Sequence, residues 1–286
     1  YARAKVRRAM ERKMGGSKKS KLSGIPKLDD ANNAGGRKSK NCTLILTEGD
    51  SAKTLAIAGL SVIGRDNYGV FPLKGKLLNV RDASPQQILK NAEIQNIMKI
   101  MGLSIGKKYT DTAKLRYGHI MIMTDQDHDG SHIKGLIINF IHHFWPSLLE
   151  IPNFLQVFIT PIVKCVPKTG SKAKKKKNTV TFYTTPEYEA WLEEDASHKD
   201  GKKWLIKYYK GLGTSDASEA KEYFAALEKN RIPFTTLSND PTGPAMAGMM
   251  IDMCFSKKKV CLANRRRKIE RRKGGGWLPP LVLFVL

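Results

Sequence analysis

Thr43-Leu-Ile-Leu-Thr-Glu-Gly-Asp-Ser51 and His119-Ile-Met-Ile-Met-Thr-Asp-Gln-Asp-His-Asp-Gly130 share one plan: a short apolar run that ends in acids. Runs of this length, bounded by polar residues, read as buried strands. Ala52 to Leu60 follows the first as a helix of small residues, with Asp50 or Ser51 as the expected cap. Ser131 to Leu149 follows the second as a long helix. Its Ile133, Leu136, Ile137, Phe140, Phe144 and Leu148 keep the helical period. Between the two runs lie a strand over Tyr68 to Leu73 and a helix over Pro85 to Met101. Ile88, Ile94, Ile97, Met98 and Met101 mark the inner side of that helix. Strand and helix alternate three times, which predicts an α/β fold with a parallel sheet and helices on both faces.

Outward from this centre the pattern weakens. Phe154 to Cys165, Thr179 to Thr184 and Trp204 to Lys210 read as strands, and Pro186 to Asp195 and Ser218 to Asn230 as helices. Asn239 to Met253, rich in Pro, Gly and Met, is weakly specified. Gly15–Gly16, Ser23–Gly24, Pro26 and Gly35–Gly36 break any long helix near the start, leaving a short basic helix and a linker. The expected layout is a basic linker over 1–40, the α/β domain over 41–165, an associated region over 166–255 and a tail over 256–286.

The acids carry the chemistry. In extended chain, residues two apart point the same way, so Asp125, Asp127 and Asp129 converge after their strand. Like charges this close need compensation, and carboxylate oxygens suit a hard divalent cation such as magnesium or calcium. One acid at a helix N-terminus is ordinary, whereas three at alternate positions after a buried strand are not. An EF-hand loop is excluded. Its twelfth position, counted from Asp125, is Leu136 where a bidentate Glu is required, and a strand rather than a helix precedes it. Glu48 ends the first strand as Asp125 ends the third, and open α/β sheets place their sites at those ends. Glu48 and the Asp series are therefore expected to form a two-part metal site.

The 286 residues hold 50 Lys and Arg against 26 Asp and Glu, a formal net charge of +24. Residues 1–40 carry 13 of these cations against three acids. Lys168 to Lys177 carries six against none, and Lys257 to Lys273 ten against one. The remainder is close to neutral, so three basic segments are attached to a neutral fold. The Lys174 to Lys177 run reads as a solvated loop. The other segments suit a polyanion, with salt-sensitive binding, or nuclear import. Charge alone does not choose among DNA, RNA and an acidic membrane. No apolar run reaches the ~18–20 residues of a membrane span. The four cysteines form no CxxC pair, which suits a reducing compartment and argues against structural zinc.

Glu48-Gly-Asp-Ser-Ala52 together with Asp125-x-Asp127-x-Asp129-Gly130 resembles the TOPRIM domain, a Rossmann-like metal-binding module of topoisomerases, primases and nucleases. Pro72-Leu-Lys-Gly-Lys-Leu-Leu-Asn-Val80 and Tyr208-Tyr-Lys-Gly-Leu-Gly-Thr214 resemble motifs of type II DNA topoisomerases. Asp125-Gln-Asp-His-Asp-Gly-Ser-His-Ile-Lys134 and Phe158-Ile-Thr-Pro-Ile-Val163 are eukaryotic in type. The resemblance runs from about Ser23 to Lys259. It implies an ATP-dependent isomerase that cleaves, passes and religates duplex DNA, working as a homodimer in the nucleus with no membrane partner. It implies that Glu48 and Asp125 ligate the catalytic Mg2+ or other divalent cation, and that Asp127, also counted among the catalytic residues, joins Asp125 around a second ion with Asp129 in support. Lys76, Asn79 and Lys210 would contact DNA. The competing reading is a stand-alone TOPRIM nuclease or primase-like protein. A third is a nucleic-acid-binding protein that uses only its basic arms.

Two family parts have no counterpart here. The nucleophilic Tyr follows Arg in a winged-helix domain, and the only Arg–Tyr pair, Arg116–Tyr117, lies inside the TOPRIM region and matches a structural segment. The ATPase domain that binds ATP is absent as well. With Tyr1 at its start, the chain is expected to be a fragment that is inactive alone. Cys261 to Leu286 departs from the family and suits a truncated or misread gene model. His128, His132, His142 and His143 are expected to be surface or core residues rather than ligands.

Overall fold

The computed structural model describes residues 22, 24–171, 178–194, 198, 203–235 and 243–256. The expected N-terminal basic helix, the Lys174 to Lys177 run and the tail beyond Ser256 lie outside them. Eight strands are described: β1 Thr43–Glu48, β2 Tyr68–Leu73, β3 His119–Met123, β4 Leu155–Phe158, β5 Val163–Pro167, β6 Val180–Phe182, β7 Trp204–Tyr208 and β8 Arg231–Pro233. The helices are α1 Gly49–Ile63, α2 Pro85–Lys90, α3 Ala92–Met101, α4 His128–Phe144, α5 Pro146–Leu149, α6 Thr185–Glu194, α7 Ala217–Ala225, α8 Leu227–Asn230 and α9 Gly243–Phe255.

The main sheet runs β2-β1-β3-β4-β8, parallel except for β8, and a smaller antiparallel sheet runs β6-β5-β7. Alternation along β1 divides the core. Leu44 and Leu46 face one cluster with Ile120, Ile122 and the apolar stripes of α3 and α4. Ile45 faces the other, with Met121, Met123, α1 residues Leu55, Ala56 and Leu60, and α7 residues Tyr223 and Phe224. Helices therefore cover both faces, as the alternation predicts. Because β1 and β3 are adjacent and parallel, with Thr47 level with Met123, Glu48 and Asp125 leave the sheet at the same edge.

Several boundaries differ from expectation, each for a local reason. The helix expected over Pro85 to Met101 is two, because Asn91 leaves helical geometry and its Oδ1 caps α3 by accepting from the Ile94 amide at 3.0 Å. The helix expected from Ser131 to Leu149 starts three residues earlier, capped by Asp127, and stops before Pro146, whose ring disfavours helix at Trp145. Phe154 to Cys165 is not one strand. Pro161 cannot donate to a ladder, and the chain passes there from the main sheet to the smaller one. Ser218 to Asn230 is interrupted at Ala226. Neither Asp50 nor Ser51 caps α1: the helix begins at Gly49, with Glu48 as its flanking residue and no side-chain cap. Asn239 to Met253, weakly specified by sequence, includes most of α9.

The segment expected as linker is folded from Gly24 onward. Asp29 pairs with Val70 through two backbone hydrogen bonds, and Ala31 and Ala34 are buried. Asp30 accepts from the fully buried Arg116 guanidinium and from the Tyr117 hydroxyl. A buried guanidinium needs a counter-charge, and that need fastens the segment to the body. Chain beyond residue 166 also returns to the first sheet, as β8 beside β4 and as α7 on α1.

Candidate metal centre

Glu48 sits at the last position of β1, and the chain turns at once into α1. Gly49 makes that turn at φ +78°, in the left-handed region that favours glycine. Asp125 follows β3 by two residues. Its main-chain amide donates to Glu48 Oε2 at 3.2 Å, across 77 residues of sequence. On its other side Asp125 Oδ1 accepts the Leu212 amide at 2.7 Å. That amide comes from the Tyr-Lys-Gly-Leu-Gly segment. Gly211 packs so closely that a Cβ there would lie 2.3 Å from Asp125 Oδ2. The third element of the site is thus a turn that follows β7, from the smaller sheet.

Asp127 caps α4, its Oδ1 accepting the Gly130 amide at 2.7 Å. Asp129 projects into solvent and pairs with Lys76 Nζ at 2.8 Å. This pairing holds the Asp129 carboxyl below its usual range. Glu48 goes the other way. Burial raises its pKa most, and the charges of Asp125, Asp127 and Asp129 raise it further against the lowering effect of the Asp125 amide. All three aspartates therefore act on one glutamate.

Among the described residues, no three His, Cys, Asp or Glu side chains already converge as a closed cage. The reason is visible: a main-chain amide or a lysine engages each carboxylate. The donors nonetheless fit a hard divalent cation. They are all carboxylate oxygens at adjacent parallel strand ends, and their mutual repulsion is registered on Glu48. Glu48, Asp125 and Asp127 are the residues that would hold it, with Asp129 at the margin.

The sequence-derived DNA contacts are placed less uniformly. Lys76 is half-exposed beside Asp129, and Lys210 is exposed one residue before Gly211. Asn79 points inward. Its amide donates to the Phe255 carbonyl at 2.8 Å, and its Oδ1 accepts from Asn139 at 3.0 Å. Arg81 joins that network through Asn139, Asp252 and His142 Nδ1. Tyr117 is wholly buried, and burial beside Asp30 raises its phenol pKa strongly, which leaves it structural. Sequence reasoning missed Leu212 and Gly211, which touch Asp125, and Lys134, which is buried behind the aspartates. Its amine donates to Gln126 Oε1 at 3.2 Å. The two glycines of the Tyr-Lys-Gly-Leu-Gly turn were the available signal for a close approach.

A parallel sheet carrying acids at two adjacent strand ends defines a Toprim-type α/β domain. Residues 43–162 match the family model for the Toprim domain, and residues 158–275 match that for the C-terminal associated domain of TOPRIM. The chain belongs to the type II DNA topoisomerase family, as its Toprim region. It is 56% identical over 263 residues to DNA topoisomerase 2-beta of Gallus gallus, covering 91% of this chain and 15% of that protein. It is 55% identical over 263 residues to DNA topoisomerase 2-alpha of Homo sapiens, covering 91% of this chain and 16% of that protein. A solved structure of the Plasmodium falciparum topoisomerase II DNA-binding, cleavage and re-ligation domain matches with a TM-score of 0.76 at 54% identity. It covers 88% of this chain and 32% of that one. The chain thus spans about one sixth of the length of these curated relatives.

Proposed function

We propose that this chain is the metal-binding part of an ATP-dependent type II DNA topoisomerase that cleaves, passes and religates duplex DNA. The observation that carries the reading is the meeting of Glu48 and Asp125 through the 3.2 Å amide contact, within a chain whose relatives are DNA topoisomerases 2. Glu48, Asp125 and Asp127 would hold Mg2+, with Asp129 in support; when bound it offsets charge on phosphoryl oxygens and eases departure of the 3′-oxygen. The chain's own residues prepare that site. Leu212 and Gly211 fix the Asp125 carboxylate from one side. The α4 cap holds Asp127, and β1 holds Glu48. Lys76 and Lys210 lie exposed where they would meet backbone phosphates. Asn79 would act on DNA by holding the Lys76 loop rather than by side-chain contact.

The nucleophilic tyrosine and the ATP site belong to other parts of the enzyme in this reading, which also makes it a nuclear homodimer. The stand-alone nuclease or primase-like alternative is disfavoured by the relatives described above, which are named DNA topoisomerase 2. No described helix is long and apolar enough to cross a membrane. The test is relaxation of supercoiled DNA by the full-length protein with Mg2+ and ATP. Glu48→Gln should lower the rate by roughly two orders of magnitude, the scale of several kcal/mol expected of a metal contact, without unfolding the protein. Relaxation at the wild-type rate by that variant would reject the assignment.

A further inference from the structure

A cavity lies behind the acids, lined by none of the proposed metal ligands. It measures about 560 Å³ and opens between α4, the β4–β8 edge and α9. Lys134, Gln126 and Ser131 form one end, and Ile138, Ile159 and Met250 belong to its apolar remainder. This volume lies within the range of sites that enclose small organic molecules, and an apolar body with a few convergent polar groups is their usual lining.

The polar end is built rather than incidental. Lys134 is only 4% exposed, and its amine donates to Gln126 Oε1; burial lowers its pKa while the Asp127 and Glu48 charges favour the ammonium form. The other half of that amide, Gln126 Nε2, is buried and has no hydrogen-bond partner. Leaving a buried donor without an acceptor is unfavourable, and an acceptor entering the cavity would meet two donors, the Lys134 amine and Gln126 Nε2. We propose that this cavity is a binding site for a small amphipathic organic anion. Its carboxylate or sulfonate would sit at Lys134 and Gln126, and its apolar body would lie along Ile138, Ile159 and Met250. None of the cavity's polar groups is a proposed metal ligand, although Asp127 and Glu48 act on Lys134 from the other side.

The test uses the full chain in metal-free buffer with 8-anilinonaphthalene-1-sulfonate as the fluorescent probe. One saturable site per chain is expected. Decanoate should displace the probe at least tenfold more effectively than 1-decanol, which has the same chain without the charge. Lys134→Met should weaken binding at least tenfold. Ile159→Trp, which fills the cavity from its half-buried wall, should do the same with the polar end intact. Each variant is checked by thermal melting, and the Trp variant carries the test if Lys134→Met does not fold. Non-saturable binding, equal displacement by the alcohol, or probe affinity unchanged in a folded Ile159→Trp would each overturn the proposal. Metal binding measured on the same samples separates this outcome from failure of the metal site.

Discussion

Asp125 and Leu212, 87 residues apart, are joined by a 2.7 Å hydrogen bond from the Leu212 amide to Asp125 Oδ1. Through it, the turn after β7 in the smaller sheet fixes an acid that belongs to the main sheet. The neighbouring Gly211 is extended rather than left-handed, at φ 172°, so its requirement is space and not backbone freedom. Gly211→Ala places a methyl group 2.3 Å from Asp125 Oδ2. The variant is expected to fold but to displace the carboxylate. A shift of about 1 Å at a reacting centre costs on the order of 100-fold. DNA cleavage by the full-length protein measures that loss, and an unchanged rate would mean that the turn does not position Asp125.

The Asp30–Arg116 pair predicts a stability effect far from the site. Arg116 is fully buried, and Asp30 also accepts from Tyr117, whose oxygen takes the Ala31 amide at 2.8 Å. Asp30→Ala removes a counter-charge from a buried guanidinium. The expected loss is about 3 kcal/mol, the lower end for broken buried pairs because Asp30 is partly exposed. Tyr117→Phe should cost about 1–2 kcal/mol, since one hydrogen-bonding group is removed from between the buried Ala31 amide and the partly exposed Asp30. Chemical denaturation of the two variants measures both.

Glu48 predicts a pH dependence in metal-free protein. Its folded pKa lies above its ordinary 4.5, chiefly through burial. In the window between the two values the folded state binds more protons than the unfolded, so ionising Glu48 lowers stability as pH rises. Below 4.5 the carboxyl is neutral in both states and the effect vanishes. Glu48→Gln, which keeps an acceptor for the Asp125 amide, should therefore raise the melting temperature at about pH 7. That gain should fade as pH falls through the raised value. A gain of the same size at about pH 4 would assign it to something other than charge.

Lys76 touches phosphate in this account, and its pairing with Asp129 is exposed on both sides. Exposed pairs contribute little to folding, so Lys76→Ala should melt close to wild type. Its signature is in binding. The slope of log affinity for duplex DNA against log salt should become shallower by about 0.9, the increment that each neutralised phosphate supplies. An unchanged slope would remove Lys76 from the interface.

Much of this was legible in the chain. The alternation of Leu44, Ile45 and Leu46 across two helix layers and the stripe of α4 are local patterns, and they define the sheet and its active edge. Glu48 and the Asp125 to Asp129 series were readable because parallel strands end at one edge. Helix breaks at Asn91 and Trp145 were obscured by apolar periodicity that continued across them. The packed strand-like segment around Asp29 was hidden by its basic, glycine-rich surroundings, since its anchor is the distant Arg116. The inward turn of Asn79 depends on Phe255, 176 residues away, and no local pattern signals it.

The central claim is that Glu48, Asp125 and Asp127 hold a divalent cation. Calorimetric titration of Mg2+ into the full chain, alongside Asp125→Asn and Asp127→Asn, tests it most directly. The wild type should bind saturably, and each folded variant at least tenfold more weakly. Equal Mg2+ affinity in all three proteins would contradict it.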